Sequence, residues 1–151
     1  MTVTDGARLD ELVCLDLYAA SRAMTRRYRP LLEHHGLTYP QYLVLVMLGS
    51  SGPSTITELS VALRLDHATL APLVRRLETT GQLARRRPPH DGRAWLLELT
   101  DAGRSTYADS ERVQCQVAED LGLSDAEVVG LQRTLRRVAE AADAAYERDR
   151  A

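Results

Sequence analysis

Residues 54–104 constrain the fold more than any other stretch. Thr55 and Glu58 stand three apart at the head of an apolar-periodic run over 56–63, a capping box for a helix. Arg64 and Leu65 turn the chain. Asp66 then caps a second helix that reaches about residue 80, where Gly81 stops it. Ile56, Leu59 and Leu63 line the inner face of the first helix, and Leu70, Leu73, Val74 and Leu77 that of the second. Residues 83–87 and 94–99 read as two short strands around Pro88-Pro89-His90-Asp91-Gly92, a turn with an Asp-Gly signal. Helix, tight turn, helix and basic hairpin, in that order, is the plan of a winged helix-turn-helix.

The outer face of the second helix carries Ala68, Ala71, Pro72, Arg75 and Thr79, with Thr69 and Arg76 beside it and His67 at its start. Small residues at the leading end let a helix sit deep in a major groove, where Arg75 and Arg76 reach bases or phosphates. Pro72 conflicts with a regular helix and predicts a late start or a kink. Between residues 64 and 104 eight arginines face five acids, a surplus of three in a chain of net charge −2. Such local asymmetry is the electrostatic footprint of a phosphate-binding surface. The expected contacts on double-stranded DNA are His67, Ala68, Thr69, Ala71, Pro72, Arg75 and Arg76 on the helix. Arg86, Asp91 and Arg93 are added on the hairpin, whose arginines can enter the minor groove.

The flanks read as a frame. The expected fold class is mostly α, one domain over 1–151 with a winged lobe at 54–104 and dimerisation helices at 9–30 and 105–148. From Leu9 to about Tyr28 the chain is helical and apolar nearly all round, as for a helix buried on more than one side. Pro30 is expected to end or kink it, and Gly36 to close the next turn as a left-handed cap. Thr38 caps a core helix over 41–48, with Pro40 in its first turn. Thr100 caps a helix from 101 to 121, and Ser124 with Glu127 starts a last one to about 147, burying Val128, Leu131, Leu135, Val138 and Ala142. That stripe, on terminal helices, implies contact with a second copy and hence a palindromic operator.

All 19 basic residues are arginine, which excludes Schiff-base lysine and P-loop lysine chemistry. No apolar run reaches the roughly 20 residues of a membrane helix. The N-terminus lacks a basic-then-apolar signal pattern, so a cytoplasmic protein is expected. His34, His35, His67 and His90 lack metal-ligand spacing, and neither metal nor cofactor is expected. No nucleophile elbow or C-x-x-C supports an enzyme. Of the two cysteines, Cys14 and Cys115, a lasting bridge is not expected in a reducing compartment; buried or reactive thiols remain.

The element order, with Asp91-Gly92-Arg93 at the hairpin and Leu99-Thr100-Asp101-Ala102-Gly103 after it, resembles the MarR family of dimeric repressors. Four segments resemble its OhrR-type members, which sense organic hydroperoxides: 12–22 around Cys14, 28–32, 37–42 with Tyr39-Pro40-Gln41-Tyr42, and 65–73 with Pro72 inside the recognition helix. The resemblance implies a peroxidatic thiolate at Cys14 and hydrogen-bond donation to it from the Tyr28 and Tyr39 of the other subunit. Phenol O–H donors stabilise an anionic sulfur. It also implies sulfenic acid formation by a peroxide effector and makes Cys115 a candidate resolving thiol across subunits. Asp16 departs from the apolar residue expected beside the sulfur and would oppose a thiolate, and the absence of Phe changes the lining of the peroxide pocket. A second reading within the family is release by a small phenolic or anionic ligand, with Cys14 structural.

Overall fold

The computed structural model describes residues 12–90, 92 and 94–151. It divides into two compact units, Met1–Val113 and Gln114–Ala151. The first holds helices α1 (Val13–Leu32), α2 (Tyr39–Ser51), α3 (Ile56–Leu63), α4 (His67–Thr79) and α5 (Asp101–Ala108), and strands β1 (Ser54–Thr55), β2 (Leu83–Arg86) and β3 (Leu96–Leu99). Helix α6 (Ser110–Leu121) begins there and runs into the second unit, which also holds α7 (Asp125–Arg150).

Capping chemistry sets the helix starts. Thr38 Oγ1 accepts from the Gln41 amide at 3.4 Å, and Gln41 Oε1 accepts in return from the Thr38 amide at 3.0 Å. Thr55 and Glu58 make the same reciprocal pair at 3.2 and 2.7 Å, and so do Ser124 and Glu127 at 3.4 and 2.8 Å. Each box satisfies two amides that a helix start leaves without partners. Gly36 closes a 3-10 turn over Glu33–His35 at φ 64°, the left-handed cap its residue type favours. Arg64 turns between α3 and α4 at φ 52°, an uncommon conformation for a residue with a Cβ.

The core of the first unit is aliphatic. Helix α2 packs against α1, α3, α4 and α5, and Leu32, Val44, Leu45, Leu59, Leu70, Val74 and Leu77 are fully enclosed. Each such side chain contributes about 1.5–3 kcal/mol by leaving water. The helix-turn-helix is therefore seated through Leu59 on one arm and Leu70, Val74 and Leu77 on the other, as their spacing predicts.

Several expectations need correction. Helix α1 does not stop at Pro30 but runs through it to Leu32. Pro30 lies in the last turn on an exposed face, where the carbonyl it leaves without a donor can take water. The part of the predicted N-terminal helix at residues 9–11 lies outside the described residues. Both hairpin strands are shorter than predicted, and the sheet has a third strand, β1, in the order β1-β3-β2, with Ser54 opposite Leu97. Two residues before a helix cap carry no alternation that could announce a strand. The helix after Thr100 is broken at Asp109, giving α5 and α6. The Asp109 carboxylate is there held by His34, His35 and Arg112. Finally, no residue of α7 is buried within this chain: Leu131, Leu135 and Val138 are 47%, 41% and 38% exposed. Val13, Leu15 and Tyr18 on α1 are exposed as well. The apolar periodicity of these helices is real, but the chain itself does not cover it.

Candidate nucleic-acid interface and sensor helix

Helix α4 is fixed at its start by Asp66, whose Oδ1 accepts from the Thr69 amide at 2.6 Å. Hydrogen bonds from the Thr69 hydroxyl and amide hold the Asp66 carboxyl below the usual carboxylate range, so the cap is charged at neutral pH. With Leu70, Val74 and Leu77 facing the core, the helix turns His67, Ala68, Thr69, Pro72, Arg75 and Arg76 to the surface, and Ala71 is half-buried. Among the described residues nothing pairs with the guanidinium groups of Arg75 and Arg76. Pro72 sits inside the helix, which neither starts late nor stops there. The Ala68 carbonyl loses its helical donor, but both residues are exposed and water is at hand.

The basic arm of the hairpin is held rather than loose. Arg85 makes a forked contact with Glu78 of α4, Nε to Oε1 at 2.7 Å and Nη2 to Oε2 at 3.2 Å. Arg86 Nε donates across the sheet to Glu98 Oε2 at 3.0 Å. The Arg87 guanidinium lies 4.5 Å from the centre of the exposed Trp95 ring. Alternation along β2 sends Arg85 and Arg86 to opposite faces of the sheet, and Arg87 lies just past the strand's end. Trp95 was not singled out from the sequence. The available signal was its place opposite Arg87, one step beyond the Arg86–Leu96 pair. Asp91 and Arg93 lie outside the described residues.

Cys14 is the second residue of α1 and is exposed. No hydrogen bond joins it to Tyr28 or Tyr39 of the same chain among the described residues. Those two tyrosines do come together, one near the end of α1 and the other at the start of α2. Their rings stack with centroids 4.1 Å apart and planes at 19°. Tyr42 stands 5.7 Å from Tyr28 and donates its hydroxyl to the Ser110 carbonyl at 3.3 Å. Burial, with Tyr39 and Tyr42 close by, pushes the Tyr28 phenol up to about 12, and burial raises Tyr39. Both therefore stay protonated at neutral pH and can donate. Among the described residues neither hydroxyl is engaged in a hydrogen bond. Cys115 is exposed on α6, in the second unit, and Asp16 is exposed two residues from Cys14.

Comparison with known proteins adds the following. A model described as MarR family matches residues 35–94. The HTH-type transcriptional regulator MgrA of Staphylococcus aureus is 33% identical over 147 residues, covering 97% of this chain and 100% of MgrA. The organic hydroperoxide resistance transcriptional regulator of Bacillus subtilis (strain 168) is 40% identical over 99 residues, 66% of this chain and 67% of that one. The HTH-type transcriptional regulator TtmR of Methylorubrum extorquens (strain PA1) is 46% identical over 100 residues, and there the match spans only 51% of the relative's length. Among solved structures, the PcaV regulator of Streptomyces coelicolor in complex with its natural ligand aligns with a TM-score of 0.80 at 28% identity, covering 92% of this chain and 99% of PcaV. Reduced AbfR bound to DNA aligns with a TM-score of 0.70 at 31% identity, over 89% of this chain and 94% of AbfR.

Proposed function

This chain belongs to the MarR family of transcriptional regulators, and from that membership we propose that it is a homodimeric repressor that leaves its operator when an organic hydroperoxide oxidises Cys14. The observation that carries this reading is the stacked Tyr28–Tyr39 pair. Two protonated phenols, the buried Tyr28 near the end of α1 and Tyr39 at the start of α2, have hydroxyls with no partner among the described residues of their own chain, while the Cys14 sulfur stands exposed and also without one there. Pairing two chains lets the phenols of one donate to the sulfur of the other. The first turn of a helix also presents unpaired N–H groups, surroundings that suit an anionic sulfur.

The chemistry is then simple. The Cys14 thiolate attacks the outer oxygen of R–O–O–H; the O–O bond breaks, the sulfur is oxidised to sulfenic acid, and the leaving alkoxide takes a proton from water to depart as the alcohol R–OH. A second thiol, Cys115 of the other subunit or a small thiol, can attack that sulfur to give a disulfide and water. The exposed apolar residues of α1 and α7 supply the dimer contact, with the helices at 9–30 and 105–148 as the frame and 54–104 as the DNA lobe. On the duplex, His67, Ala68, Thr69, Ala71 and Pro72 lead α4 into the major groove. Arg75 and Arg76 reach phosphates or bases, and Arg86, Asp91 and Arg93 belong to the wing.

The test is titration of operator DNA with reduced protein and again after cumene hydroperoxide. The oxidised protein should bind at least about tenfold more weakly, a coupling of the usual allosteric size. The Cys14→Ser variant should bind DNA and ignore the peroxide. If that variant still lets go on oxidation, the sensor is another residue. A second reading is supported by a half-open cavity of about 410 Å³ lined by Leu48, Gly49, Gly52, Pro53, Leu99 and Tyr107, with Arg104 and the opposing carboxylate of Glu98 as its charged groups, large enough for a small phenolic ligand. Release of Cys14→Ser protein by an aromatic carboxylate, with no response of wild type to peroxide, would select it.

A further inference from the structure

His34 and His35 show no ligand spacing in the chain, yet the fold brings them to a third donor about half the protein away in sequence. His35 Nε2 lies 2.9 Å and His34 Nε2 3.3 Å from the same oxygen, Oδ2 of Asp109. The two imidazoles and the carboxylate offer one ligand atom each, all within 4.8 Å of one another. We propose that these three side chains form a site for a divalent transition-metal ion of the zinc type, independent of the redox and DNA reading above.

The geometry fits the ion's demands. Zinc takes imidazole nitrogen and carboxylate oxygen at about 2.0–2.2 Å, so neighbouring ligands at tetrahedral angles stand roughly 3.3 Å apart. The His34 nitrogen–oxygen separation of 3.3 Å already matches that value, and the His35 one, at 2.9 Å, needs only a small opening. The ring centroids lie 3.8 Å apart, and both Nε2 atoms approach the same carboxylate oxygen. As a plain hydrogen bond the His34 contact adds little, because it is long and the side chain is 53% exposed. What it does provide is a second nitrogen at ligand distance and an open path from solvent. Three protein ligands with one position left for water is a common arrangement for zinc.

The supporting contacts are also in place. Gly36 in its left-handed conformation closes the 3-10 turn that carries both histidines, its amide donating to the Glu33 carbonyl at 3.0 Å. Asp109 stands at the break between α5 and α6. Arg112 grips it with Nε to Oδ1 and Nη2 to Oδ2, each 2.7 Å. A guanidinium that orients a ligating carboxylate is the kind of outer contact that fixes metal sites. On binding, each Nε2 gives its lone pair to the ion. A neutral ring then carries its proton on Nδ1, so the hydrogen bonds to Asp109 are replaced by metal bonds. The site would join the α1–α2 junction to the α5–α6 junction within the first unit.

The experiment is titration of the reduced, chelator-treated full chain with Co²⁺ and then Zn²⁺, followed by visible absorption and calorimetry. One ion per chain is expected, with ligand-field bands of a nitrogen- and oxygen-coordinated Co²⁺ that zinc abolishes, and without a near-ultraviolet thiolate-to-cobalt band. His34→Gln and His35→Gln should each weaken binding by at least about tenfold. His34 is exposed, so its variant keeps the test valid should that of the half-buried His35 fail to fold. No binding, binding unchanged in both histidine variants, or a cobalt spectrum dominated by the thiolate band would each overturn the proposal; the last would move the ion to a cysteine.

Discussion

Replacing Gly103 by alanine puts a single methyl group at the joint between α5 and the base of the hairpin. The added Cβ would lie 2.0 Å from the backbone oxygen of Gln82 and 3.2 Å from the Leu99 Cβ. A carbon and a carbonyl oxygen approach comfortably only to about 3.3 Å, so something must yield by roughly an ångström. The Gln82 oxygen has little freedom to do so. It accepts from the Thr100 amide at 3.2 Å, while the Gln82 amide donates to the Leu77 carbonyl at 2.9 Å and its side chain accepts from the Thr106 hydroxyl at 2.9 Å. Overpacking against such a place costs about 1–3 kcal/mol, and loss of the Thr100–Gln82 bond adds about 1 kcal/mol. Against this, alanine gains about 0.5–1 kcal/mol over glycine inside a helix. The net expectation is a loss of roughly 1–3 kcal/mol. It is read as a lowered urea midpoint at fixed protein concentration, since the proposed dimerisation would make stability concentration-dependent. Gly130→Ala is the control. It also lies in a helix, but nothing stands within 4 Å of its added Cβ, so it should gain about 0.5–1 kcal/mol. If both variants gain alike, the contact between α5 and Gln82 is not the constraint described.

Arg75→Ala should weaken operator binding and lower the log–log salt slope by about 0.9 for the one phosphate contact removed; a slope equal to wild type would take this arginine off the duplex. Tyr28 ionises at about 12 in the fold against 10.0 for the free phenol. The stabilisation from keeping it protonated is therefore whole below pH 10 and lost as pH rises toward 12. Tyr28→Phe should flatten the urea midpoint across that window, and a wild-type slope there in the variant would assign the alkaline loss to other groups. Leu131→Asp with Leu135→Asp places charges on the uncovered face of α7 and should shift sedimentation from dimer to monomer; a persistent dimer would locate the contact elsewhere.

What could be read from the chain alone was whatever is decided locally. The boxes at Thr55 and Ser124, the caps at Thr38, Asp66 and Thr100 and the left-handed Gly36 are each settled within four residues, and each was found; that Gln41 completes a box at Thr38 was not. Pro30 and Pro72 were overestimated as breakers because the cost of a mid-helix proline depends on which side it faces, and both face water. The break at Asp109 went unseen because what holds its carboxylate includes His34 and His35, about 75 residues away. Strand β1 had no pattern of its own, only a partner in β3. The candidate sensor divides in the same way. A cysteine at 14 and tyrosines at 28 and 39 can be named from the sequence, but the ring-on-ring contact between the tyrosines is a product of the α1–α2 packing.

The pairing of Arg85 with Glu78, and of Arg86 with Glu98, bears on how such a protein searches. A stray polyanion meeting the hairpin must first pry a tethered carboxylate from each guanidinium, and that carboxylate stays nearby to compete. On the proposed DNA reading, weak, misregistered encounters would thereby be shortened. Only a duplex that also engages Arg75 and Arg76, which pair with nothing among the described residues, would then hold the protein long enough for the exchange to complete.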